Sequence, residues 1–304
     1  MYRMKKVIAV VVTFKRKSLL EDVIKGLAEQ SYPLSEIIII DNHSCDGTDI
    51  LVDNLRKVYA TSKISYYDTG DNLGGAGGFA YGFEVAQKSD FEYLWLMDDD
   101  LLPESDCLEN LLATGCDGII QPIRFNKDGS CAEISPIEYD LDSVFIINPK
   151  KKTVKDIIEL KNVDIPVPIA GVPFEGPLIS KSVVDKIGKP ESKFFIFNDD
   201  LDYSIRARNA GFKILCQPKA TAIRLLVNNQ SNDLKSWKGY FMLRNHFYIL
   251  RTHGKNFFVK SRPIILTLGY AALSIFRGDL DVALKVCRAY RDSYYLSNND
   301  RFKP

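Results

Sequence analysis

The chain has 304 residues, 46% of them hydrophobic and 26% charged, and its formal net charge is +1. This composition is ordinary for a soluble globular protein, and the near-neutral charge argues against nucleic-acid binding. Six scattered cysteines without a CxxC pair argue against a secreted disulfide framework and a zinc site, and they favour a reducing, cytoplasmic location. The basic and apolar first residues resemble a signal peptide, but the apolar run is short and has no cleavage site, so it predicts a first strand.

Strand and helix patterns alternate over the first hundred residues. The β-branched run 7–13 predicts a strand buried on both faces, and helical periodicity follows over 18–30. The next predicted elements are strands over 36–40 and 64–67, and helices over 48–59 and from the glycine-rich run 72–78 to residue 86. This alternation predicts an α/β fold with a mainly parallel, twisted sheet flanked by helices, whose ligands lie beyond the carboxyl ends of the strands. Polar residues from four segments fall at that edge: Thr13, Asp41, Asn72 and Asp98.

A fourth strand, predicted over 91–100, ends in the consecutive acids Asp98, Asp99 and Asp100. Side chains alternate along a strand, so Asp98 and Asp100 are expected on one side and Asp99 on the other. Neighbouring carboxylates repel each other unless a cation lies between them, and Mg²⁺ or Mn²⁺ takes one or two carboxylates and completes its shell with phosphate and water. The acids therefore indicate a metal that holds a phosphorylated ligand. The alternative is a solvated acidic loop that caps the next helix.

The second half of the chain is less regular, and residues 115–168 mix short strands with turns. Strands are predicted over 171–180 and 194–197, on either side of a helix over 181–187. A helix over 198–211 has Asn198 at its cap and the acids Asp199, Asp200 and Asp202 in its first turn. The last fifty residues predict helices. Their apolar segment 264–276 is too short to span a bilayer, and it is expected to be core rather than a surface lying on an anionic membrane.

Three classes of nucleotide-using enzyme can be tested against these motifs. A dinucleotide-binding dehydrogenase would carry GxGxxG after the first strand, where this chain has TFKR. A P-loop enzyme needs GxxxxGK[ST], which is absent, and the basic glycine-rich first turn of a nucleotide-sugar pyrophosphorylase is missing too. A metal-bound nucleotide whose phosphates are not wrapped by a glycine loop remains.

The order of five motifs resembles the family 2 inverting glycosyltransferases of the GT-A fold: VVTFKR, IIIIDN, DNLGGAGG, LWLMDDD and FNDDLDYSIRARNAGF. Together with WKGYFMLRN, the last two look most like bacterial galactofuranosyltransferases and next like rhamnosyltransferases. The resemblance implies a Rossmann-like GT-A domain over 1–250, with a nucleotide-sugar half to about 115 and an acceptor half after it. It leaves residues 251–304 as a C-terminal helical extension.

The resemblance also implies roles for the acids and polar residues of the first half. Thr13 would contact the nucleotide through its backbone, and Asp41 would accept a hydrogen bond from the pyrimidine ring, unless it only forms a turn with Asn42. Asn72 and the glycines after it would let the nucleotide lie close to the backbone, unless the glycines only allow tight helix packing. Asp98 would face the ribose or the metal beside Asp99, and Asp98 and Asp100 would ligate Mn²⁺ or Mg²⁺.

An inverting transfer is a direct displacement, so a base must take the proton of the acceptor hydroxyl. The resemblance points to Asp200 with Asp199 beside it. A helix amino terminus is expected to lower the basicity of Asp200 while keeping it ionised. The alternative is that the pair only complements the helix dipole, and Asp202, like Asp199, is a further candidate for binding acceptor hydroxyls.

Two positions depart from the family pattern. Arg224 stands where many relatives have a metal-binding histidine, and arginine cannot ligate a metal. Arg224 would pair with the diphosphate, or the ion would bind through Asp98 and Asp100 with extra water, or metal dependence would be weak. Asn198 replaces a tryptophan that precedes the paired acids in the galactofuranosyl relatives. His246 is expected to be a packing residue, with an approach to the site as the alternative. The aromatic group Trp237, Tyr240 and Phe241 is expected to seal the last helices onto the core, with stacking on a sugar or lipid-linked acceptor as the alternative.

The function that the resemblance implies is transfer of galactofuranose from UDP to a lipid-linked or polysaccharide acceptor in bacterial surface glycan synthesis. Transfer of rhamnose from dTDP is the second candidate, and a sugar-nucleotide-binding module without catalysis is the third. A phosphate-ester hydrolase lacks an evident nucleophile motif. No nucleic-acid partner is expected; peripheral contact with the inner face of the cell membrane through the C-terminal region, and homo-oligomerisation, stay open.

Overall fold

The computed structural model describes residues 4–145, 149–158, 164–226, 234–298 and 302–303. The strands are β1 (Val7–Thr13), β2 (Glu36–Asp41), β3 (Ile64–Asp68), β4 (Tyr93–Asp98), β5 (Leu101–Pro103), β6 (Gly118–Asn126), β7 (Val167–Pro168), β8 (Leu178–Ser180) and β9 (Lys213–Arg224). The helices are α1 (Lys17–Ala28), α2 (Thr48–Val58), α3 (Gly74–Ala86), α4 (Cys107–Leu112), α5 (Val154–Ile158), α6 (Lys181–Ile187), α7 (Asp199–Asn209), α8 (Trp237–His253), α9 (Phe257–Phe276) and α10 (Leu280–Asp292). A short 3-10 helix, Ser192–Phe194, precedes α7.

The strands of the described residues form one sheet in the order β3-β2-β1-β4-β8-β6-β9-β5, with β7 beside β9. The first four neighbours are parallel, so the α/β sheet predicted for the first hundred residues is confirmed. Their register places Thr13 beside Asp41 and Val12 beside Asp98 at the carboxyl ends. β8 runs antiparallel between β4 and β6, which makes the second half of the sheet mixed.

Helices cover both faces of the sheet, so β1 is buried along its whole length. Alternate β1 residues therefore belong to two hydrophobic clusters, one of which contains α3 and the other α1. Helix α3 lies very close to β1, since a Cβ atom at Gly78 would be 2.5 Å from Val12 Cγ1 and one at Gly82 would be 2.4 Å from Val10 Cγ1. Gly78 belongs to the glycine-rich run, and its close approach to β1 corresponds to the tight-packing alternative; Gly82, outside that run, allows the same approach.

The segment before α7 differs from the prediction. The strand expected over 194–197 is wrong: the chain makes the 3-10 helix and then a loop in which Phe195, Phe197 and Asn198 have φ angles of 62°, 68° and 65°. Of the strand expected over 171–180, only Leu178–Ser180 forms, because Pro173 and Pro177 have no N–H to donate to a neighbouring strand. The helix expected over 181–187 is confirmed.

The last three helices pack on one another and on the 192–197 segment. Helix α8 runs from Trp237 to His253, so the boundary expected at residue 250 falls inside a continuous helix. The expectation that segment 264–276 is core is wrong, since most of its large apolar side chains are exposed on α9. Among the described residues, no helix combines the length and hydrophobicity needed to cross a membrane.

Candidate active site

A cavity of about 970 Å³ lies at the carboxyl ends of β1 and β4. Its volume is at the upper end of the range for small-molecule sites, which is about 300–1,000 Å³. The residues that line it come from both halves of the chain and include most of the predicted site: Thr13, Asn72, Asp98, Asp99, Asp100, Asp199, Asp200 and Arg224. Of the four polar residues expected to converge at this edge of the sheet, Thr13, Asn72 and Asp98 line the cavity and Asp41 does not.

The two acids that follow β4, Asp99 and Asp100, share the cationic neighbour Arg16. Arg16 Nη1 lies 3.1 Å from Asp99 Oδ1 and 3.3 Å from Asp100 Oδ2. Asp99 also accepts hydrogen bonds from Thr13 Oγ1 at 2.8 Å and from the backbone N–H of Phe14 at 3.3 Å. The strand ends at Asp98, so the strict alternation expected through Asp100 is wrong; Asp99 and Asp100 occupy a turn and both reach Arg16.

The negative charges of Asp98 and Asp100 are not fully balanced by neighbouring cations. Burial raises the pKa of Asp98 well above its usual range, and the charges of Asp100 and Glu175 raise it further. Burial, followed by the charges of Asp99 and Glu175, raises the pKa of Asp100 to about 6. The described residues contain no group of three or more metal-binding side chains. Two underneutralised carboxylates nevertheless fit Mg²⁺ or Mn²⁺, which commonly bind through one or two carboxylates together with phosphate and water.

Arg224 is already paired with a carboxylate. Its Nε and Nη2 atoms donate hydrogen bonds to the two oxygens of Glu175 at 2.8 and 2.7 Å. Arg124 also contacts Glu175 and donates to Glu133, so Glu175 lies between two guanidinium groups. Glu175 was not predicted from the sequence, because it lies in an irregular segment and its partners are 49 and 51 residues away. A direct contact between Arg224 and a diphosphate stays a prediction.

Asp41 is buried and has hydrogen-bond partners on both carboxylate oxygens. Oδ1 accepts from the backbone N–H of Ser44 at 2.9 Å and from its hydroxyl, while Oδ2 accepts from the Tyr66 hydroxyl at 2.8 Å. Asp41 is not among the described residues that line the cavity. These contacts correspond to the turn-forming alternative, and contact with a pyrimidine ring stays a prediction. The next residue, Asn42, does line the cavity, and its buried Oδ1 has no hydrogen-bond partner among the described residues.

Asn72 forms the turn that begins α3. Its Oδ1 accepts a hydrogen bond from the backbone N–H of Gly74 at 3.0 Å. Gly74 has a φ of +71°, and a Cβ atom there would lie 2.2 Å from the carbonyl oxygen of Phe195, so only glycine fits. Gly74 and Gly75 both line the cavity, but a Cβ atom at Gly75 would meet nothing within 4 Å. Gly75 is therefore the glycine of this run whose missing side chain leaves room at the cavity.

Asp199 and Asp200 open helix α7 and face the same cavity as the acids after β4. The backbone N–H of Leu201 donates to Asp200 Oδ1 at 2.7 Å. The expectation that the helix amino terminus lowers the basicity of Asp200 is wrong in direction, because burial outweighs the backbone hydrogen bond and raises the pKa to about 6. Burial and the charge of Asp200 raise the pKa of Asp199 well above its usual range.

The comparisons with known proteins agree with this geometry. The model of the family "Glycosyl transferase family 2" matches residues 8–164, which is more than half of the chain. The chain belongs to glycosyl transferase family 2. A galactofuranosyltransferase of Mycobacterium tuberculosis, GlfT1, is 28% identical over 214 residues, which cover 67% of this chain and 65% of the relative. The chain thus spans about 65% of the length of the GlfT1 proteins from two strains of this organism.

Solved structures place this family 2 protein in the GT-A fold. A structure of GalNAc-T7 with UDP, GalNAc and Mn²⁺ has a TM-score of 0.63 at 15% identity, over 86% of this chain and 51% of that one. A mannosyltransferase from Pyrobaculum calidifontis, in complex with GDP-Man and Mn²⁺, has a TM-score of 0.58 at 14% identity and covers 98% of this chain and 89% of its own. The GT-A expectation for the fold is confirmed.

In this family 2 protein, α8 holds the loop that precedes Asp199 and Asp200. Arg244 Nη2 donates to the carbonyl oxygens of Lys193 and Phe194 at 2.9 and 2.8 Å. Asn245 Nδ2 donates to three carbonyl oxygens, those of Phe194 at 3.2 Å, Ile196 at 2.7 Å and Phe197 at 2.8 Å. Both side chains are fully buried, so they fix a loop whose positive φ angles would otherwise be unfavourable.

The remaining candidates of α7 and α8 divide between packing and the cavity. Asp202 accepts from Arg206 Nε at 2.8 Å and lies 2.7 Å from His253 Nε2, which commits it to the protein's own contacts. Tyr240 and Phe241 are buried and seal α8 onto the core, as expected. Trp237 also packs on Phe195 and Phe241, and both Trp237 and His246 line the cavity. Burial and the charge of Arg262 lower the pKa of His246 to about 4, so this imidazole is neutral at neutral pH.

Proposed function

We propose that this family 2 glycosyltransferase transfers galactofuranose, with inversion, from a UDP donor to a hydroxyl group of a lipid-linked or polysaccharide acceptor. One observation carries the proposal. The acids at the end of β4 and the acid pair at the start of α7 line a single cavity, so a metal-bound donor and a base can act on the same sugar carbon.

The donor diphosphate is assigned to the side of the cavity formed by β1, α3 and β4. Asp98 and Asp100 would hold Mn²⁺ or Mg²⁺, which supplies positive charge to the departing diphosphate. Thr13 and Arg16 hold Asp99 in place, and Gly75 leaves space for the nucleotide beside the start of α3. Asp41 and Asn42 are the two candidates at the end of β2 for the contact with the pyrimidine ring.

The acceptor is assigned to the side formed by α7 and α8. Asp200 would accept the proton of the attacking hydroxyl, and a pKa of about 6 suits this role because the carboxylate is then ionised at neutral pH yet basic for an aspartate. Asp199 lies beside it and would bind the acceptor or share its proton. Trp237 offers an aromatic face to a sugar ring at the wall of the cavity.

The choice of galactofuranose rests on the galactofuranosyltransferase relatives, and the choice of UDP follows from that sugar. A dTDP-rhamnose donor is the second candidate. A nucleotide-sugar-binding module without catalysis is the third, motivated by Arg224 and Asn198 at positions where relatives differ. The proposed place of action is the cytoplasmic face of the cell membrane, where lipid-linked acceptors are extended.

A transfer assay with the purified full chain tests the proposal. UDP-galactofuranose and dTDP-rhamnose are supplied in parallel with a lipid-linked galactofuranose-accepting oligosaccharide and Mn²⁺. We expect transfer from the UDP donor only, and its loss in Asp200→Asn with donor binding retained; Asp22→Asn, on the exposed side of α1, is the matched control. Transfer from dTDP-rhamnose alone would move the assignment to rhamnose, and donor binding without any transfer by the unmodified chain would support the binding module.

A further inference from the structure

Helix α9 exposes most of its large apolar side chains and buries several polar ones, unlike a typical helix packed on a protein core. Its buried positions include the polar residues Arg262, Thr267 and Ser274. Most of its large apolar side chains are exposed, and these are Phe257, Phe258, Ile264, Ile265, Leu268, Tyr270, Leu273, Ile275 and Phe276. Soluble helices bury the apolar side and expose the polar one. The outward side therefore needs an explanation other than packing within this chain.

The outward residues follow the helical repeat along the whole element. Phe257, Ile264, Leu268 and Ile275 are spaced by 7, 4 and 7 residues, which places them on one line along the helix. Phe258, Ile265 and Phe276 form a second line beside it. We call these seven residues the α9 apolar face. The helix has 20 residues, so the face extends over about 30 Å, and monomeric soluble proteins rarely expose apolar patches larger than a few hundred Å².

The inward side of α9 is held by its own contacts, so the helix is not simply rotated from a buried position. Arg262 donates a hydrogen bond to the carbonyl oxygen of Ser143, and Val259 is buried in a hydrophobic cluster with Phe194. Arg262 is also near enough to His246 for its charge to act on that residue at the cavity wall. The inner side of α9 thus contacts the protein near the cavity wall, whereas its outer side is exposed.

Such a face could be covered by a second copy of this chain or by a lipid surface, and the charges around it favour the lipid surface. Residues 254–277 contain Lys255, Lys260, Arg262 and Arg277 and no acidic residue. Arg262 points inward, while Lys255, Lys260 and Arg277 are exposed near the ends of the face. If a second copy packed its α9 against this one, cations would meet cations and no carboxylate of either α9 would offset them. Anionic lipid headgroups supply that countercharge, and the acyl boundary accepts the apolar side chains.

We propose that the α9 apolar face is a membrane-docking surface that inserts into the headgroup region of an anionic bilayer, with Lys255, Lys260 and Arg277 contacting the lipid phosphates. The helix lies in the plane of the interface and does not cross it. The surface deepens the proposed function, on which its purpose rests, since it would bring the cavity to the membrane where a lipid-linked acceptor is held. Binding to lipid is a separate property from sugar transfer and can be measured without it.

The test is flotation of the full chain with vesicles of phosphatidylcholine alone and of phosphatidylcholine mixed with phosphatidylglycerol. Ile265→Glu with Leu268→Glu introduces two charges at residues that are 68% and 67% exposed. The matched control is Ile50→Glu with Val58→Glu on α2, at residues that are 64% and 70% exposed. All four positions are on the surface, so both double variants should keep the circular dichroism spectrum and thermal midpoint of the unmodified chain.

We expect binding to the anionic vesicles, weaker binding to the neutral ones, and a loss of at least about tenfold for each apolar residue replaced on α9. Replacing Lys260 or Arg277 with glutamine should weaken binding to anionic vesicles by about fivefold each. Absence of vesicle binding by the unmodified chain, or equal binding by the α9 and α2 variants, would overturn the proposal. A dimer in sedimentation that only the α9 variant dissociates, without lipid binding, would overturn it in favour of a second copy.

The inactive Asp200→Asn variant separates this proposal from the proposed function. If it binds vesicles like the unmodified chain, the docking surface stands whatever the transfer assay gives. Failure of transfer together with normal flotation would therefore count against the proposed function alone.

Discussion

At the scale of single residues, the cavity concentrates carboxylates whose ionisation is opposed by burial and by one another. Asp98, Asp100, Asp199 and Asp200 all have raised pKa values, and the charge of Glu175 contributes to three of these shifts. Groups with strongly shifted pKa values and a cleft around them are typical of functional sites. Two consequences of the raised values can be measured.

The first concerns the pH dependence of transfer. Asp200 has to be ionised to act as a base, and its pKa is raised to about 6 by burial. We expect kcat/KM to fall as the pH is lowered through about 6, and Asp200→Asn to lose about 100-fold to 10,000-fold of the rate, as is usual for removal of a general base. The pH profile of UDP-galactofuranose transfer measures this. If Asp200→Asn kept the rate of the unmodified chain and the same fall in kcat/KM at low pH, Asp200 would not be the general base.

The second concerns stability. An aspartate with a raised pKa binds its proton more tightly in the folded than in the unfolded state, so stability falls as the pH rises from about 4 to about 6. Above that range Asp100 is ionised, and the free energy of unfolding is lowered by the full cost of burying its charge. We expect Asp100→Asn to be more stable than the unmodified chain at neutral pH by at most about 3 kcal/mol, and the gain to vanish near pH 4.

Urea unfolding at about pH 7 and about pH 4 tests this, with Asp22→Asn on α1 as the control. Addition of Mn²⁺ should raise the thermal midpoint of the unmodified chain and leave that of Asp100→Asn nearly unchanged. A variant that is less stable at neutral pH would mean that the ion pair with Arg16 outweighs the repulsion among the acids.

At the scale of elements, α8 acts on the acid pair through the loop before α7. Asn245→Ala removes the side-chain donor to the carbonyl oxygens of Ile196 and Phe197, while the carbonyl oxygen of Phe194 keeps its hydrogen bond from Arg244 Nη2. Unpaired buried groups of this kind cost about 2–3 kcal/mol, so the urea midpoint should fall. We further expect kcat to fall by a larger factor than the affinity for UDP, because the loop leads directly into Asp199 and Asp200, whereas it meets the donor side only through the contact of Phe195 with the start of α3.

Asn209→Ala at the exposed end of α7 is the matched control for that variant. Kinetics and calorimetric UDP binding on both variants give the comparison. Equal losses of UDP affinity and of kcat in Asn245→Ala would mean that the effect is general unfolding and not a displaced acid pair.

The elements also show where sequence patterns are sufficient. The strands that end at Thr13, Asp41 and Asp98 were predictable because a β-branched or aromatic run gives a local signal. The positive φ angles of Phe195 and Phe197 were not, since they are imposed by Arg244 and Asn245 about 50 residues later. The apolar repeat of α9 predicts an amphipathic helix but not which side faces solvent, and the assumption that apolar means buried fails there.

At the scale of the whole molecule, the α/β architecture and its site at the strand ends follow from the sequence, whereas the balance of charge in the site does not. Arg16 stood in a visible basic turn, yet only the fold brings it to Asp99 and Asp100. Glu175 gave no local signal, and its pairing with Arg124 and Arg224 joins three distant segments. The direction of the pKa shift of Asp200 likewise depends on burial, which is a property of the folded chain.

The central claim is that the cavity binds a uridine diphosphate through a divalent ion held by Asp98 and Asp100. Calorimetric titration of the full chain with UDP, dTDP and GDP, each with and without Mn²⁺, tests it most directly, with Asp100→Ala and the control Asp22→Ala in parallel. We expect UDP to bind most tightly, only with Mn²⁺, and only when Asp100 is present. UDP binding of equal strength without Mn²⁺ or in Asp100→Ala, or no binding of any of the three nucleotides, would contradict the account.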